Sequence, residues 1–155
     1  MITAVDTNIL FDILIPDEDF VQSSKKLIER YAEKGQLIIC EIVYAELASQ
    51  FHSPKELRDF LSDTGIRLVY SSEETLSLAG ERWKAYSKNR DIRLQCPKCG
   101  KRISISCPAC RNAIFTRQHI ISDFIIGAHA LKQAEILISR DRGFYKAYFK
   151  DLKIG

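Results

Sequence analysis

Four acidic residues lie within or directly after apolar stretches of the sequence. Asp6 follows the apolar run ITAV, and Asp141 follows EILIS with Arg140 between them. Glu46 and Asp123 each interrupt an apolar segment that otherwise reads as a buried helix. Buried carboxylates repel one another, and a divalent cation removes that cost. Because all-oxygen ligands favour Mg²⁺ or Mn²⁺, the acids predict a metal site that activates water for phosphodiester hydrolysis.

Each of these acids also has a purely structural interpretation. Asp6 can be the N-cap of the helix that follows it, and Asp141 can be a turn residue. Glu46 can be a partly exposed helix acid. Asp123 can pair with His119, which lies one helical turn earlier. Sequence alone leaves both interpretations open for each acid.

Four of the five cysteines form two CxxC units with seven residues between them: Cys96, Cys99, Cys107 and Cys110. No signal peptide or membrane-spanning apolar run is evident, which predicts a cytoplasmic, reducing location. In that location, paired CxxC units indicate a tetrahedral Zn²⁺ site. Four thiolates leave no open position, so the predicted zinc is structural and orders a polar segment. Cys40 is expected to be a small buried residue.

Positive charge is concentrated around these cysteines. The segment from Arg82 to Arg117 has a net charge of +9, with Asp91 as its one acid, whereas the whole chain has +3. Concentrated positive charge predicts a polyanionic partner. The residues predicted to bind RNA phosphates are Lys98, Lys101, Arg102 and Arg111. A solvated surface, a stabilising role for the loop and a dimer contact are the alternatives.

Apolar runs and helical spacing alternate along the chain. Strands are predicted at 2–5, 37–40, 66–70 and 136–138, and helices at 7–14, 23–34, 42–51, 54–61, 72–86 and 120–131. Such alternation predicts a three-layer α/β/α fold with a mainly parallel central sheet. The carboxyl ends of parallel strands share one edge, so Asp6 and Asp141 should face the same crevice. We expect one domain, 1–155, with a zinc-binding insertion at 93–115.

Four short segments occur in an order that is typical of one family. They are VDTN at 5–8, YAEL at 44–47, SDFIIGAHA at 122–130 and ISRD at 138–141. The sequence in this respect resembles the PIN-domain ribonucleases, including the VapC-type toxins of toxin–antitoxin pairs. The resemblance implies that Asp6, Glu46, Asp123 and Asp141 hold one or two Mg²⁺ or Mn²⁺ ions. It also implies that Asn8 orients Asp6 or the metal-bound water.

The function implied by this resemblance is endonucleolytic cleavage of RNA, often by a homodimer, with an antitoxin protein as a possible partner. A nuclease for ribosomal RNA processing is an alternative. A third possibility is an inactive RNA-binding module of the same fold. The sequence departs from the family at one point: many relatives have a further acid two or three residues after the last Asp, where this chain has Gly143 and Phe144.

Overall fold

A sheet of four parallel strands organises the fold. The computed structural model describes residues 1–88, 93–114 and 119–155. Its strands are β1 (Ile2–Val5), β2 (Gln36–Ile39), β3 (Ile66–Leu68), β4 (Leu94–Gln95), β5 (Arg102–Ile103) and β6 (Ile136–Ile138). The order in the central sheet is β3-β2-β1-β6, and each neighbouring pair is parallel. The predicted parallel sheet is confirmed. Since β1 and β6 are neighbours, Asp6 and Asp141 emerge side by side.

Helices flank this sheet. In the described residues they are α1 (Thr7–Leu14), α2 (Val21–Ala32), α3 (Glu41–Ala48), α4 (Pro54–Asp63), α5 (Glu73–Lys88), α6 (Ile121–Gln133) and α7 (Arg142–Tyr148). The predicted helices match α1 to α6 to within a few residues at each end. Helix α7 and the β4–β5 hairpin are additional elements. The α/β fold class is therefore confirmed.

The third strand is shorter than predicted. It ends at Leu68, although the Val69 N–H still donates to the Ile39 carbonyl at 2.9 Å. Tyr70, which the prediction placed in the strand, is 71% exposed. The alternating apolar pattern therefore continues past the point at which the backbone leaves the sheet.

An aromatic cluster joins α5, α6 and α7. The Phe124 ring lies 5.6 Å from Trp83, 5.5 Å from Tyr86 and 5.0 Å from Phe144 between centroids. Edge-to-face and tilted pairs of this kind add to the free energy gained by burial. The cluster packs α7 against α6. It therefore fixes the distance between Asp123 of α6 and Asp141, which is the N-cap of α7.

Gly127 in α6 allows this close packing. A Cβ atom at Gly127 would lie 2.5 Å from the Phe149 ring, a distance that real contacts do not reach. Phe149 is fully buried. Cys40 is 1% exposed, which confirms that it is a small buried residue.

The segment predicted to be an insertion contains two turns of the same geometry, which we call the first knuckle (96–101) and the second knuckle (107–112). In each, the first cysteine N–H donates at 2.8 Å to the carbonyl of the last residue, Lys101 or Asn112. The residue after the second cysteine has positive φ, +76° at Gly100 and +60° at Arg111. The predicted insertion is described up to residue 114. Its end at 115, and residues 90, 91 and 117 of the basic segment, lie outside the described residues.

Among residues 1–88, 93–114 and 119–155, no helix has the length and apolar character needed to cross a lipid bilayer.

Candidate active site

Asp6 is the most enclosed of the four predicted acids, with 6% of its surface exposed. It follows β1 directly, and its backbone N–H still donates to the Ile138 carbonyl of β6 at 3.1 Å. Four donors contact its carboxylate: Thr7 N–H on Oδ1 at 2.8 Å, and Asn8 Nδ2, Ser139 Oγ and Tyr145 OH on Oδ2 at 2.8, 2.6 and 3.2 Å. The N-cap contact from Thr7 is present, but it accounts for only one of these bonds.

Asn8 joins the two loops that leave β1 and β6. Its Nδ2 donates to Asp6 Oδ2, while its Oδ1 accepts the Arg140 N–H at 3.1 Å. The Asn8 side chain is therefore oriented by residues that follow two different strands, Asp6 after β1 and Arg140 after β6. The orienting role of Asn8 toward Asp6 stays a prediction, and the contact that it requires is present.

Asp141 and Asp123 lie near Asp6. Asp141 caps α7 by accepting the Phe144 N–H at 3.2 Å. Asp123 Oδ2 accepts the Ile120 N–H at 2.9 Å and lies 3.8 Å from His119 Nδ1. The structural contacts considered from the sequence thus exist for both acids. These contacts use one oxygen of each carboxylate, so the other oxygen of Asp123 and of Asp141 can bind a further group.

Burial raises the pKa of Asp6 from 3.8 to about 6, against the lowering effect of its hydrogen bonds. Burial also raises the pKa of Asp141. The charge of Asp123 adds to both increases, so these three carboxylates are electrostatic neighbours. Like charges gathered in a poorly solvated site favour either a proton or a cation.

Glu46 joins the site through Thr7. The Thr7 hydroxyl donates to Glu46 Oε2, and the Thr7 N–H donates to Asp6. Glu46 lies on α3 and is partly exposed. The fourth predicted acid is therefore connected to the other three by a shared hydrogen-bond partner.

Sequence reasoning missed two polar residues of the site, Ser139 and Tyr145. Ser139 is 2% exposed; its hydroxyl donates to Asp6 and accepts the Asp141 N–H at 2.9 Å. Burial raises the pKa of Tyr145 well above 10, and the charges of Asp6, Asp123 and Asp141 add to this. The signal for Tyr145 was its position four residues after Asp141, which would place both on one face of a helix.

The described residues contain no group of three or more His, Cys, Asp or Glu side chains positioned to hold one metal ion. The acids are neighbours without forming a closed set of ligands. Cys96 and Cys99 approach each other within the first knuckle, as Cys107 and Cys110 do within the second. The two pairs do not form one four-thiolate site in this structure.

The first knuckle rests on the turn that begins α7. The Gly143 N–H donates to the Pro97 carbonyl at 2.8 Å. A Cβ atom at Gly143 would lie 2.6 Å from the Cys96 carbonyl oxygen and 2.8 Å from the Gly100 nitrogen. The first knuckle therefore contacts the carboxyl edge of the sheet through backbone atoms, two residues after Asp141.

A cavity of about 700 Å³ opens beside this contact. Its wall includes Asn8 and Asp141 of the acidic site and Pro97 and Lys98 of the first knuckle. Of the four residues predicted to bind RNA, Lys98 lines this cavity. The others are exposed elsewhere on the insertion: Lys101, Arg102 and Arg111.

A family profile described as the PIN domain matches residues 3–150. The chain belongs to the PIN domain family. PIN domains are generally metal-dependent nucleases. A search of curated proteins gave no match to this PIN domain.

Solved structures show the same fold. The VapBC2 complex of Rickettsia felis, bound to a DNA fragment from its promoter, contains a chain of 18% identity and TM-score 0.61; the match covers 100% of this PIN domain and 98% of that chain. VapBC-1 from nontypeable Haemophilus influenzae gives 19% identity and TM-score 0.60, over 100% and 97% of the two chains. At these identities the likeness shows the fold alone.

Proposed function

We propose that this PIN domain is a metal-dependent endoribonuclease that hydrolyses RNA phosphodiester bonds. The observation that carries the proposal is the grouping of Asp6, Asp123 and Asp141 at the carboxyl edge of the parallel sheet. Burial and mutual charge raise the pKa of two of them. Asp6 forms no ion pair with any residue in the described part of the chain. A site of this kind favours a bound cation over free carboxylates.

The proposed ligands of Mg²⁺ or Mn²⁺ are Asp6, Glu46, Asp123 and Asp141. Their oxygen donors fit such an ion, as does the unpaired buried charge of Asp6. When bound, the ion supplies a more acidic water and stabilises negative charge on the phosphate. The chain's own residues hold the ligands in place: Asn8, Ser139 and Tyr145 each donate to Asp6 Oδ2 and fix the direction of its other oxygen.

We expect cleavage of a mixed structured RNA in the presence of Mn²⁺ or Mg²⁺, and loss of cleavage in Asp123→Asn. Asp123 is half-buried beside Asp6 and Asp141, so removal of its charge weakens metal binding. Asp63→Asn, at the exposed end of α4, is the matched control and should cleave like the wild type. Cleavage products are resolved on denaturing gels.

Two other outcomes of this experiment would contradict the proposed nuclease site. Binding of RNA by the wild type with no metal-dependent cleavage would support an inactive RNA-binding module. Equal cleavage by wild type and Asp123→Asn would show that a different site, or a contaminant, is responsible.

We further propose that the nuclease is the toxin of a toxin–antitoxin pair, with an antitoxin protein as partner and a homodimer as its assembly. The support is the fold shared with chains of the two VapBC complexes. Copurification with the product of an adjacent small reading frame, and inhibition of cleavage by it, would test this. A nuclease that matures ribosomal RNA precursors without any such inhibitor would favour the processing role.

We propose that Cys96, Cys99, Cys107 and Cys110 bind one structural Zn²⁺. The support is the matched geometry of the two knuckles; the two cysteine pairs, which are separate in this structure, would have to approach each other to share the ion. Backbone N–H groups of Lys98 and Cys99 lower the pKa of Cys96, and those of Ala109 and Cys110 lower the pKa of Cys107. Such N–H donors stabilise the thiolate form that zinc requires.

Elemental analysis of protein purified without chelator should give one zinc per chain. The double substitution Cys96→Ser and Cys99→Ser should abolish it, whereas Cys40→Ala should retain it, since Cys40 is buried apart from the knuckles. Folded wild-type protein without zinc would contradict the proposal.

A further inference from the structure

We propose that the first knuckle is a wall of the active site, where Lys98 binds a phosphate of single-stranded RNA and the neighbouring base enters the cavity beside Asp141. This inference rests on the proposed function, and it assigns the substrate-binding role to one position of the basic insertion. The substrate inferred in this way is an unpaired RNA strand.

The position of Lys98 is fixed by backbone contacts. The Pro97 carbonyl accepts the Gly143 N–H at 2.8 Å, and the Gly100 N–H donates to the Cys96 carbonyl at 2.8 Å. Gln95, which is 8% exposed, donates through Nε2 to the Gly100 carbonyl at 3.3 Å. The turn that carries Lys98 is therefore held at both ends, and its side chain lines the cavity that Asp141 also lines.

The cavity has the size and the surface of a nucleotide subsite. Its volume of about 700 Å³ falls within the usual range for sites that enclose a small ligand. Arg140 lies over the Phe20 ring, with 4.2 Å from Cζ to the ring centroid, and both line the cavity. The two groups cover each other on one face, and the rest of each is exposed, 39% for Phe20 and 36% for the Arg140 side chain. Exposed flat groups of these two kinds are surfaces on which unpaired RNA bases stack. A base in a duplex cannot reach such a pocket without leaving its stack.

Three cations line the cavity, and the side chains of two of them already have partners. Arg140 is neutralised by Asp12, which is 2% exposed and lies 2.8 Å from its guanidinium. Arg142 keeps its charge, but its guanidinium is held by a hydrogen bond to the Gly155 carbonyl at 2.8 Å. Lys98 is exposed and forms no ion pair with any residue of the described ranges, so its ammonium group can bind a phosphate next to the acids.

The second knuckle provides an internal comparison. Its sequence CPACRN aligns with CPKCGK of the first, so that Ala109 occupies the position of Lys98. The two turns share their hydrogen-bond pattern, although only the first lines the cavity. A lysine is thus not needed to form the turn, and Lys98→Ala gives the first knuckle the sequence CPAC with which the second knuckle already begins.

The test measures binding of a fluorescently labelled single-stranded RNA by anisotropy, in an Asp123→Asn background that suppresses cleavage. Lys98→Ala should weaken binding about tenfold, the loss typical of one charge-assisted hydrogen bond. It should also reduce the salt dependence by about 0.7 in log–log slope. Lys55→Ala, which removes an exposed positive charge on α4 away from the cavity lining, should change affinity less than about twofold.

A duplex of the same sequence is the comparison ligand, and its binding should be insensitive to Lys98→Ala. Equal losses for Lys98→Ala and Lys55→Ala, or an equal loss for the duplex and the single strand, would overturn the inference. Cleavage by the otherwise wild-type protein is scored separately, so failure of the nuclease proposal is distinguishable from failure of this one.

Discussion

Asp6→Asn is expected to abolish cleavage and, in buffer without divalent ions, to make the protein more stable at neutral pH. Loss of a metal ligand removes several kcal/mol of transition-state stabilisation, which corresponds to a rate decrease on the order of a thousandfold. The stability gain follows from the environment of Asp6. It is 6% exposed, and its pKa is raised from 3.8 to about 6, mainly by burial.

The sign of the pH dependence follows from these two pKa values. Because the folded state holds the Asp6 proton more tightly than the unfolded state, the stabilising contribution of protonated Asp6 is complete below pH 3.8. That contribution is lost as pH rises through about 6. A difference of about two pKa units corresponds to about 3 kcal/mol of unfolding free energy. Asp141, whose pKa is raised by burial, changes stability in the same direction.

Asparagine avoids this cost because it is neutral at every pH. Its carboxamide oxygen can replace Oδ2 as acceptor for Asn8, Ser139 and Tyr145. Its NH₂ group then faces the Thr7 N–H, which costs about 1 kcal/mol for one lost hydrogen bond. We therefore expect a net gain of about 2 kcal/mol at pH 7.5, and little difference between the two proteins at pH 4.

Urea denaturation at pH 4 and 7.5 measures both effects. Asp63→Asn is the control, since Asp63 is exposed and should give the wild-type values at both pH values. Mn²⁺ should stabilise the wild type at pH 7.5 by mass action and should not stabilise Asp6→Asn. If Asp6→Asn has the same stability and pH dependence as the wild type, Asp6 does not carry a buried charge in the metal-free protein.

The strands and the positions of the acids were predictable because the controlling interactions are local. The apolar run before Asp6 is buried in β1 as expected, and the run before Asp141 is buried in β6. Parallel pairing of these strands then places both acids at one edge of the sheet. The start of α4 is likewise set locally, because Ser53 caps it by accepting the Glu56 N–H at 3.2 Å from three residues further along the chain.

The contacts that complete the site could not be predicted in this way because they depend on tertiary structure. Helix α7 has seven residues, too few for a clear amphipathic pattern, and its place is set by packing of Phe144 on Phe124. The hydrogen bond from Tyr145 to Asp6 joins residues 139 positions apart. Contacts of this range leave no periodic signal in the sequence.

Gly143 has a packing role that the sequence did not indicate. By resemblance to the family, its position is one where many relatives have a further acid. In the structure, the same position receives the backbone of the first knuckle at a distance that excludes any Cβ atom. Glycine is therefore required there for the first knuckle to rest on the carboxyl edge of the sheet.

Gly143→Ala is expected to displace the first knuckle and to destabilise the protein by about 1–3 kcal/mol, the usual range for overpacking. The new Cβ would lie 2.6 to 2.9 Å from three backbone atoms, the Cys96 oxygen, the Gly100 nitrogen and the Pro97 oxygen. Backbone atoms cannot move aside as a flexible side chain can. Displacement of the first knuckle from the start of α7 would also break the hydrogen bond from the Gly143 N–H to the Pro97 carbonyl.

Gly80→Ala is the matched control for this substitution. Gly80 lies in α5, and a Cβ there would meet nothing within 4 Å. Its replacement should stabilise the protein by about 1 kcal/mol through helix propensity. Thermal denaturation of the two variants should therefore give changes of opposite sign.

Hydrogen exchange then separates local displacement from global unfolding. In Gly143→Ala the amides of Gly100 and residue 143 should lose protection, while amides of β1 and β6 should exchange as in the wild type once overall stability is taken into account. Retained protection at Gly100, together with unchanged stability, would mean that the knuckle does not rest on Gly143 in solution. RNA binding should fall at least as far as in Lys98→Ala, because displacement of the turn removes Lys98 and Pro97 from the cavity together.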